Sequence, residues 1–185
     1  HFRTVVGRTL PNGTWIFGRQ LLNSVVISLG TTLFGVFLSC TTAYAFSRFR
    51  FLGDKHLFFW LLTNRMSPPA VFLLPFFQLY SSIGLFDTPF ALILVYPTFL
   101  VPFCTWLLIG YFKSIPYELE ECALIDGASR LQILVKIILP LAVPGLISAG
   151  IFAFTLSWNE FIYALTFVSS SEVKTVPVGV ITELV

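Results

Sequence analysis

The sequence predicts an all-α fold, a polytopic bundle of apolar helices that crosses a bilayer several times. Three observations carry this. Charged residues make up 11% of the chain and hydrophobic ones 56%, whereas a soluble domain carries about 25% charged residues. Mean hydropathy is +0.87. Four runs, Gln20–Ser47, Met66–Phe86, Thr88–Phe112 and Ile137–Asn159, contain no Asp, Glu, Lys or Arg. Each supplies the ~18–20 apolar residues that a helix needs to span hydrocarbon. Helices are the expected form, because backbone groups in lipid must be satisfied within each segment. A transmembrane barrel would show alternation of period two in segments of about ten residues, and these runs lack it.

The elements follow in order. Residues 1–20 are mixed and polar, with Pro11-Asn12-Gly13 as a turn signal. The first span is expected over 21–47, with Asn23 and Ser24 placed for N-cap chemistry near its start. A short basic loop holds Arg48, Arg50 and Lys55. The second span, 56–81, is interrupted by Pro68-Pro69 and Pro75. The third, 89–112, contains Pro97 and Pro102; prolines inside spans imply kinks whose freed carbonyls neighbouring helices or water take up. A polar insert occupies 113–139, and the fourth span is expected over 140–168. The whole, 1–185, reads as a single transmembrane domain and, starting at His1 without a signal peptide, as an internal fragment of a larger protein.

Charge placement orients the spans. Short cytoplasmic loops are enriched in Lys and Arg. The 48–55 loop has three basic residues and the insert adds Lys113, Arg130 and Lys136, while the 82–88 loop has none. Loop and insert are therefore expected in the cytoplasm, against the weaker opposing signal of Arg3, Arg8 and Arg19. The basic residues form no tract, so nucleic acid is not an expected partner; membrane lipid is. Cys40, Cys104 and Cys122 are far apart without metal-ligand spacing, so neither a metal site nor a disulfide framework is expected. Cys40 and Cys104 read as small packing residues.

The insert is the most informative stretch. Ile115-Pro116 opens a helix, with proline expected in its first turn. Glu118, Glu120 and Glu121 then lie near the positive end of the helix dipole. Gly127 ends this helix in the left-handed conformation. Ser129-Arg130-Leu131-Gln132 fits a capping box that starts a second. The insert thus reads as two short helices joined at a glycine elbow, which Ala123 and Ala128 keep slim enough for a partner to approach. An amphipathic hairpin lying on the membrane surface has a similar composition.

The run Glu121-Cys122-Ala123-Leu124-Ile125-Asp126-Gly127-Ala128, with Pro140 downstream, resembles the EAA loop of ABC importer permeases, which reads E-A-A-x-x-D-G-A and then, after a spacer, proline. Cys122 stands where the family usually has Ala, and is similarly small. Arg65-Met66-Ser67-Pro68-Pro69, Ile83-Gly84-Leu85, Ser114 to Glu121, and Trp158-Asn159-Glu160-Phe161 are similar to the maltose-type carbohydrate permeases. The resemblance covers essentially the whole chain. It implies a six-span permease of the bacterial or archaeal cytoplasmic membrane, of which this fragment holds spans two to five. It implies a transport subunit, not an enzyme, without cofactor or ATP site. The implied partners are ABC ATPase subunits, a second permease subunit and an extracytoplasmic sugar-binding protein. Glu121, Cys122, Ala123, Asp126, Gly127 and Ala128 would engage the ATPase.

Polar residues in the spans are candidates for the substrate path. Glu160 is the sole acid between Arg130 and Glu172 and is flanked by Trp158 and Asn159. On a continuous helix it would sit ~30 Å beyond Pro140 at 1.5 Å per residue. An ionisable group in a span ordinarily faces the bundle interior or a cavity. An aromatic face with amide and carboxylate oxygens suits a sugar. The competing reading is an aromatic belt with a solvated Glu160. Arg65, beside a proline break, is either a path residue or a snorkelling cation. The function expected is the permease of an ATP-driven sugar or polyol importer. An ion-coupled secondary transporter is the alternative; it would need acids or histidines as ion sites in the spans, and only His56 and Glu160 are available.

Overall fold

A computed structural model describes residues 15–184, so the 11–13 turn, Arg3 and Arg8 lie outside the described residues. Apart from an isolated bridge at Trp15, the regular elements described are helical. They are α1 (Ile16–Arg48), α2 (Asp54–Met66), α3 (Pro69–Ser82), α4 (Pro89–Ser114), α5 (Glu118–Ile125), α6 (Arg130–Leu141), α7 (Val143–Trp158), α8 (Ile162–Phe167) and α9 (Val176–Gly179). By length and composition α1 and α4 can each cross a membrane unaided. The number rises to four if the broken pairs α2–α3 and α6–α7 each count as one span.

Local chemistry explains where these helices begin and break. Thr88 caps α4, its hydroxyl accepting from Ala91 N at 3.3 Å, and Pro89 follows at the first helical position. The 56–81 run divides at Ser67-Pro68, where the residue before a proline is driven out of the helical region. Pro75, in contrast, is carried within α3. The 140–168 run is not one straight helix. It bends by 78° between α6 and α7 and is interrupted again at Asn159–Phe161. Upstream of Pro140 the backbone widens to π geometry over Leu134–Ile138, with Leu139 N–H donating to Leu134 O. A proline ring would clash with the carbonyl four residues back, and the wider turn removes that clash. The ~30 Å rise inferred for Glu160 from a continuous helix therefore does not apply.

Contacts group the chain into two units. The first takes residues up to Phe34, Ser67–Thr98 and Phe154 onward. Its core holds Ile27, Leu92, Val95, Tyr96, Tyr163 and Phe167, with Tyr80 edge-on to Phe167 at 5.3 Å. Gly30 lets α1 approach α4: a Cβ there would stand 3.0 Å from Ile93 Cδ1. The 169–176 segment is tied down by side chains. Asn23 Nδ2 donates to Glu172 O at 2.7 Å and Lys174 O at 3.1 Å, and Ser24 Oγ accepts from Val176 N at 2.8 Å. Asn23 and Ser24 therefore serve a distant segment; α1 begins at Ile16, too early for either to cap it.

The second unit takes Gly35–Met66 and Phe99–Ala153. Here α7 presents small residues to α4. Ala149 and Ala153 are fully buried, and a Cβ on Gly145 would fall 2.5 Å from the Tyr111 ring. Small residues at a spacing of four let helix backbones come close in a membrane. Phe103 and Phe152 stack at 4.0 Å, and Cys104 Sγ donates to Ala149 O at 3.8 Å. Cys40 and Cys104 are buried free thiols, in keeping with a packing role, whereas Cys122 is exposed.

Candidate functional site

The first helix of the insert starts two residues later than Pro116 suggests. α4 ends at Ser114, Ile115 is buried, and α5 begins at Glu118 behind an N-cap position filled by Tyr117. Pro116 lies just ahead of the helix rather than in its first turn. Glu118, Glu120 and Glu121 do occupy that first turn, where negative charge complements the open N–H groups. α5 ends in a Schellman arrangement. Gly127 has φ +81°, Gly127 N donates to Leu124 O at 3.0 Å, and Ala128 N donates to Ala123 O at 2.9 Å. The capping box then forms in full: Ser129 N donates to Gln132 Oε1 at 2.8 Å and Gln132 N to Ser129 Oγ at 3.3 Å.

These bonds aim the elbow outward. Glu121, Cys122, Asp126 and Gly127 are exposed, while Ala123 and Ala128 are partly covered. Asp126, Gly127, Ala128, Gln132, Lys136 and Ile137 line an open hollow of about 410 Å³. Nothing lies within 4 Å of a Cβ built on Gly127. Its glycine is thus required by backbone conformation and not by crowding. Arg130 lies beside the elbow, and its side-chain interaction with Tyr117 raises its pKa.

One residue of the insert behaves in a way that composition does not reveal. Glu120 is fully buried and forms an ion pair with Arg48 at the end of α1. Its neighbours in sequence, Glu118 and Glu121, face outward. Helical spacing was the available signal: Glu120 is one turn from Ala123 and Leu124, which are also partly covered, but a carboxylate offers no reason to choose it for burial.

Trp158 ends α7 and stacks on Phe154 at 5.7 Å. Asn159 is exposed and its Nδ2 donates back to Thr155 O at 2.7 Å. Glu160 sits in the break before α8. Its carboxylate accepts from Tyr163 N and Ala164 N, each at 3.1 Å, beside the buried Tyr96 phenol. These are the bonds of a helix cap, satisfying N–H groups that a helix start leaves open. Arg65 is exposed in the last turn of α2 and has no ion-pair partner among the described residues. The described residues contain no group of three or more His, Cys, Asp or Glu suited to a metal ion.

Apolar helices able to span a bilayer, joined to an exposed helix–glycine–helix insert, define a multi-pass membrane protein. Residues 31–183 match the family described as binding-protein-dependent transport system inner membrane component, and the chain belongs to that family. It is 39% identical over 157 residues to the inner membrane ABC transporter permease protein YcjP of Escherichia coli, covering 85% of this chain and 56% of that one. It is 39% identical over 165 residues to the trehalose transport system permease protein SugB of Mycobacterium tuberculosis, covering 89% and 60%. It is 37% identical over 173 residues to the trehalose/maltose transport system permease protein MalG of Thermococcus litoralis, covering 94% and 62%. Among solved structures, a bacterial ABC transporter involved in the import of the acidic polysaccharide alginate has a chain that superposes with a TM-score of 0.75 at 28% identity. That match covers 96% of this chain and 60% of the other. The chain thus spans somewhat over half the length of these relatives.

Proposed function

We propose that this chain is part of the membrane-spanning subunit of an ATP-driven importer for a sugar or related polyol. ATP would be hydrolysed by a separate ABC ATPase, and the solute delivered by an extracytoplasmic binding protein to a path shared with a second permease. The observation that carries this reading is the exposed elbow at Gly127, held by the Schellman bonds and the Ser129 capping box. In it, Glu121, Cys122, Ala123, Asp126, Gly127 and Ala128 meet the ATPase. Closure of the ATPase dimer would shift the insert and bias the spans between inward-open and outward-open states. The trehalose and trehalose/maltose systems named for the relatives support a carbohydrate as solute.

Trp158, Asn159, Glu160 and Arg65 are proposed to belong to the substrate path. In this reading Glu160 sets the break that presents Trp158 and Asn159, since its carboxylate is committed to backbone N–H groups. The test is solute uptake by membrane vesicles of the complete transporter, with and without ATP, after ion gradients are collapsed. Uptake that persists with ATP alone supports the proposal. Uptake that needs the gradient and ignores ATP would replace it with an ion-coupled secondary transporter.

A further inference from the structure

Three acids stand in the first turn of α5, and the helix dipole alone would leave all three in water. Glu120 is instead completely buried. The Arg48 guanidinium pairs with its Oε1, and the Arg48 side chain is only 6% exposed. Arg48 Nη2 also donates to Ile115 O at 3.0 Å, and the guanidinium lies 5.8 Å from the centre of the Tyr117 ring. Tyr44 Oη donates to Glu120 Oε2 at 3.3 Å. Arg130 Nη1 is 3.9 Å from the same oxygen, and its guanidinium sits 5.6 Å over the Phe49 ring. One carboxylate therefore gathers the end of α1, the turn before α5, α5 itself and the first residue of α6.

A buried ion pair is a poor source of net stability, because desolvation offsets most of the attraction. Its value is geometric. Charged hydrogen bonds from a planar guanidinium hold both position and orientation, where an apolar contact would allow sliding. The elbow at 126–128 faces outward, whereas Glu120, two turns earlier on the same helix, faces inward. α5 thus has an exposed end and an anchored end.

We propose that Glu120 and Arg48 form the joint through which movement of the insert reaches the span α1. Both are positioning residues: they touch neither nucleotide nor solute. This rests on reading the insert as the element that engages an ATPase. Without the joint, displacement of the elbow would pass only along the chain from α4, and α1 would lag behind.

The experiment uses the complete reconstituted transporter, with its ATPase, second permease and binding protein. It measures solute moved per ATP hydrolysed in Arg48→Ala, Arg48→Lys and Glu120→Gln. The expected result is that Arg48→Ala and Glu120→Gln still co-purify with the ATPase and hydrolyse ATP, while solute moved per ATP falls about tenfold; Arg48→Lys, which keeps the charge, recovers part of it. A merely structural fastening would lower uptake and hydrolysis together at an unchanged ratio, and that outcome overturns the proposal. Loss of assembly in both Glu120→Gln and Arg48→Lys would also overturn it, by making the pair a folding requirement. Gly127→Val, measured in parallel, separates the two levels. If Gly127→Val blocks uptake while Arg48→Ala keeps the wild-type ratio, the joint fails and the ATPase-coupling reading stands. If Gly127→Val transports normally, the coupling reading fails.

Discussion

Gly127 occupies a left-handed backbone conformation with open space around it. Left-handed geometry costs an L-residue roughly 1–2 kcal/mol, and asparagine tolerates it better than valine. Gly127→Val is therefore expected to disrupt the elbow and lower ATP-driven uptake while membrane insertion persists, and Gly127→Asn should be milder; vesicle uptake of the two variants side by side checks this. Glu160 makes a different prediction. Losing a helix-capping acceptor costs about 0.5–2 kcal/mol, so Glu160→Ala should lower the melting temperature of the complex as well as uptake. Unchanged melting with reduced uptake would mean that the carboxylate acts on the solute and not on α8. Asp87 offers a pH test. It sits at φ 60° and its Oδ1 accepts from Ser169 N at 2.9 Å and Ser170 N at 3.0 Å. Burial pushes its pKa up, but the bonds from Ser170 and Ser169 and the charge of Lys174 prevail and hold it below the usual value. The stability this adds is complete above the unfolded Asp value of about 3.9 and is lost as pH falls through the lower folded one. Asp87→Ala should thus melt earlier than wild type at neutral pH, and the gap should close as the medium is acidified past the carboxylate range.

At the level of elements, the insert depends on its caps because its helices are short. An isolated helix of this length is unstable in water, so Ser129 and Gln132 supply a stabilisation that packing does not. Ser129→Ala removes the hydroxyl acceptor and should cost about 1 kcal/mol. The measurable consequence is faster amide exchange at the start of α6. Helix contact within the second unit depends on the absence of bulk. A methyl on Gly145 would overlap the Tyr111 ring, and overpacking of this kind costs typically 1–3 kcal/mol. Gly145→Ala is expected to lower the detergent-solubilised melting temperature, and Tyr111→Leu in the same chain should relieve part of the loss. Full stability of Gly145→Ala alone would show that α7 can shift away from α4 without penalty. Breaks are as informative as helices: Ser67-Pro68 divides α2 from α3, while Pro75 is absorbed. A proline interrupts a helix only where the carbonyl it frees and the residue before it cannot be accommodated.

For the molecule as a whole, membership of a binding-protein-dependent transport family fixes the chain as a transport component, and α5 gives it an exposed elbow at one end and a buried anchor at the other. Hydrophobicity and spacing by themselves determine a good deal of this. Charge-free runs mark the apolar helices, two of which are long enough to cross a bilayer unaided, since every buried backbone group in lipid needs an internal partner. The elbow and its capping box are legible too, because glycine at a left-handed turn and Ser–x–x–Gln at a helix start are local requirements, met within a few residues of chain. What sequence leaves open is decided at longer range. Which of Glu118, Glu120 and Glu121 is buried depends on Arg48, far away along the chain, arriving beside one face of α5. Glu160 reads as a free carboxylate until Tyr163 and Ala164 turn their N–H groups on it. Asn23 and Ser24 look like caps until the 172–176 segment returns to them. A polar side chain can satisfy its bonding by many routes that are nearly equal in energy, and only the packed tertiary structure selects one.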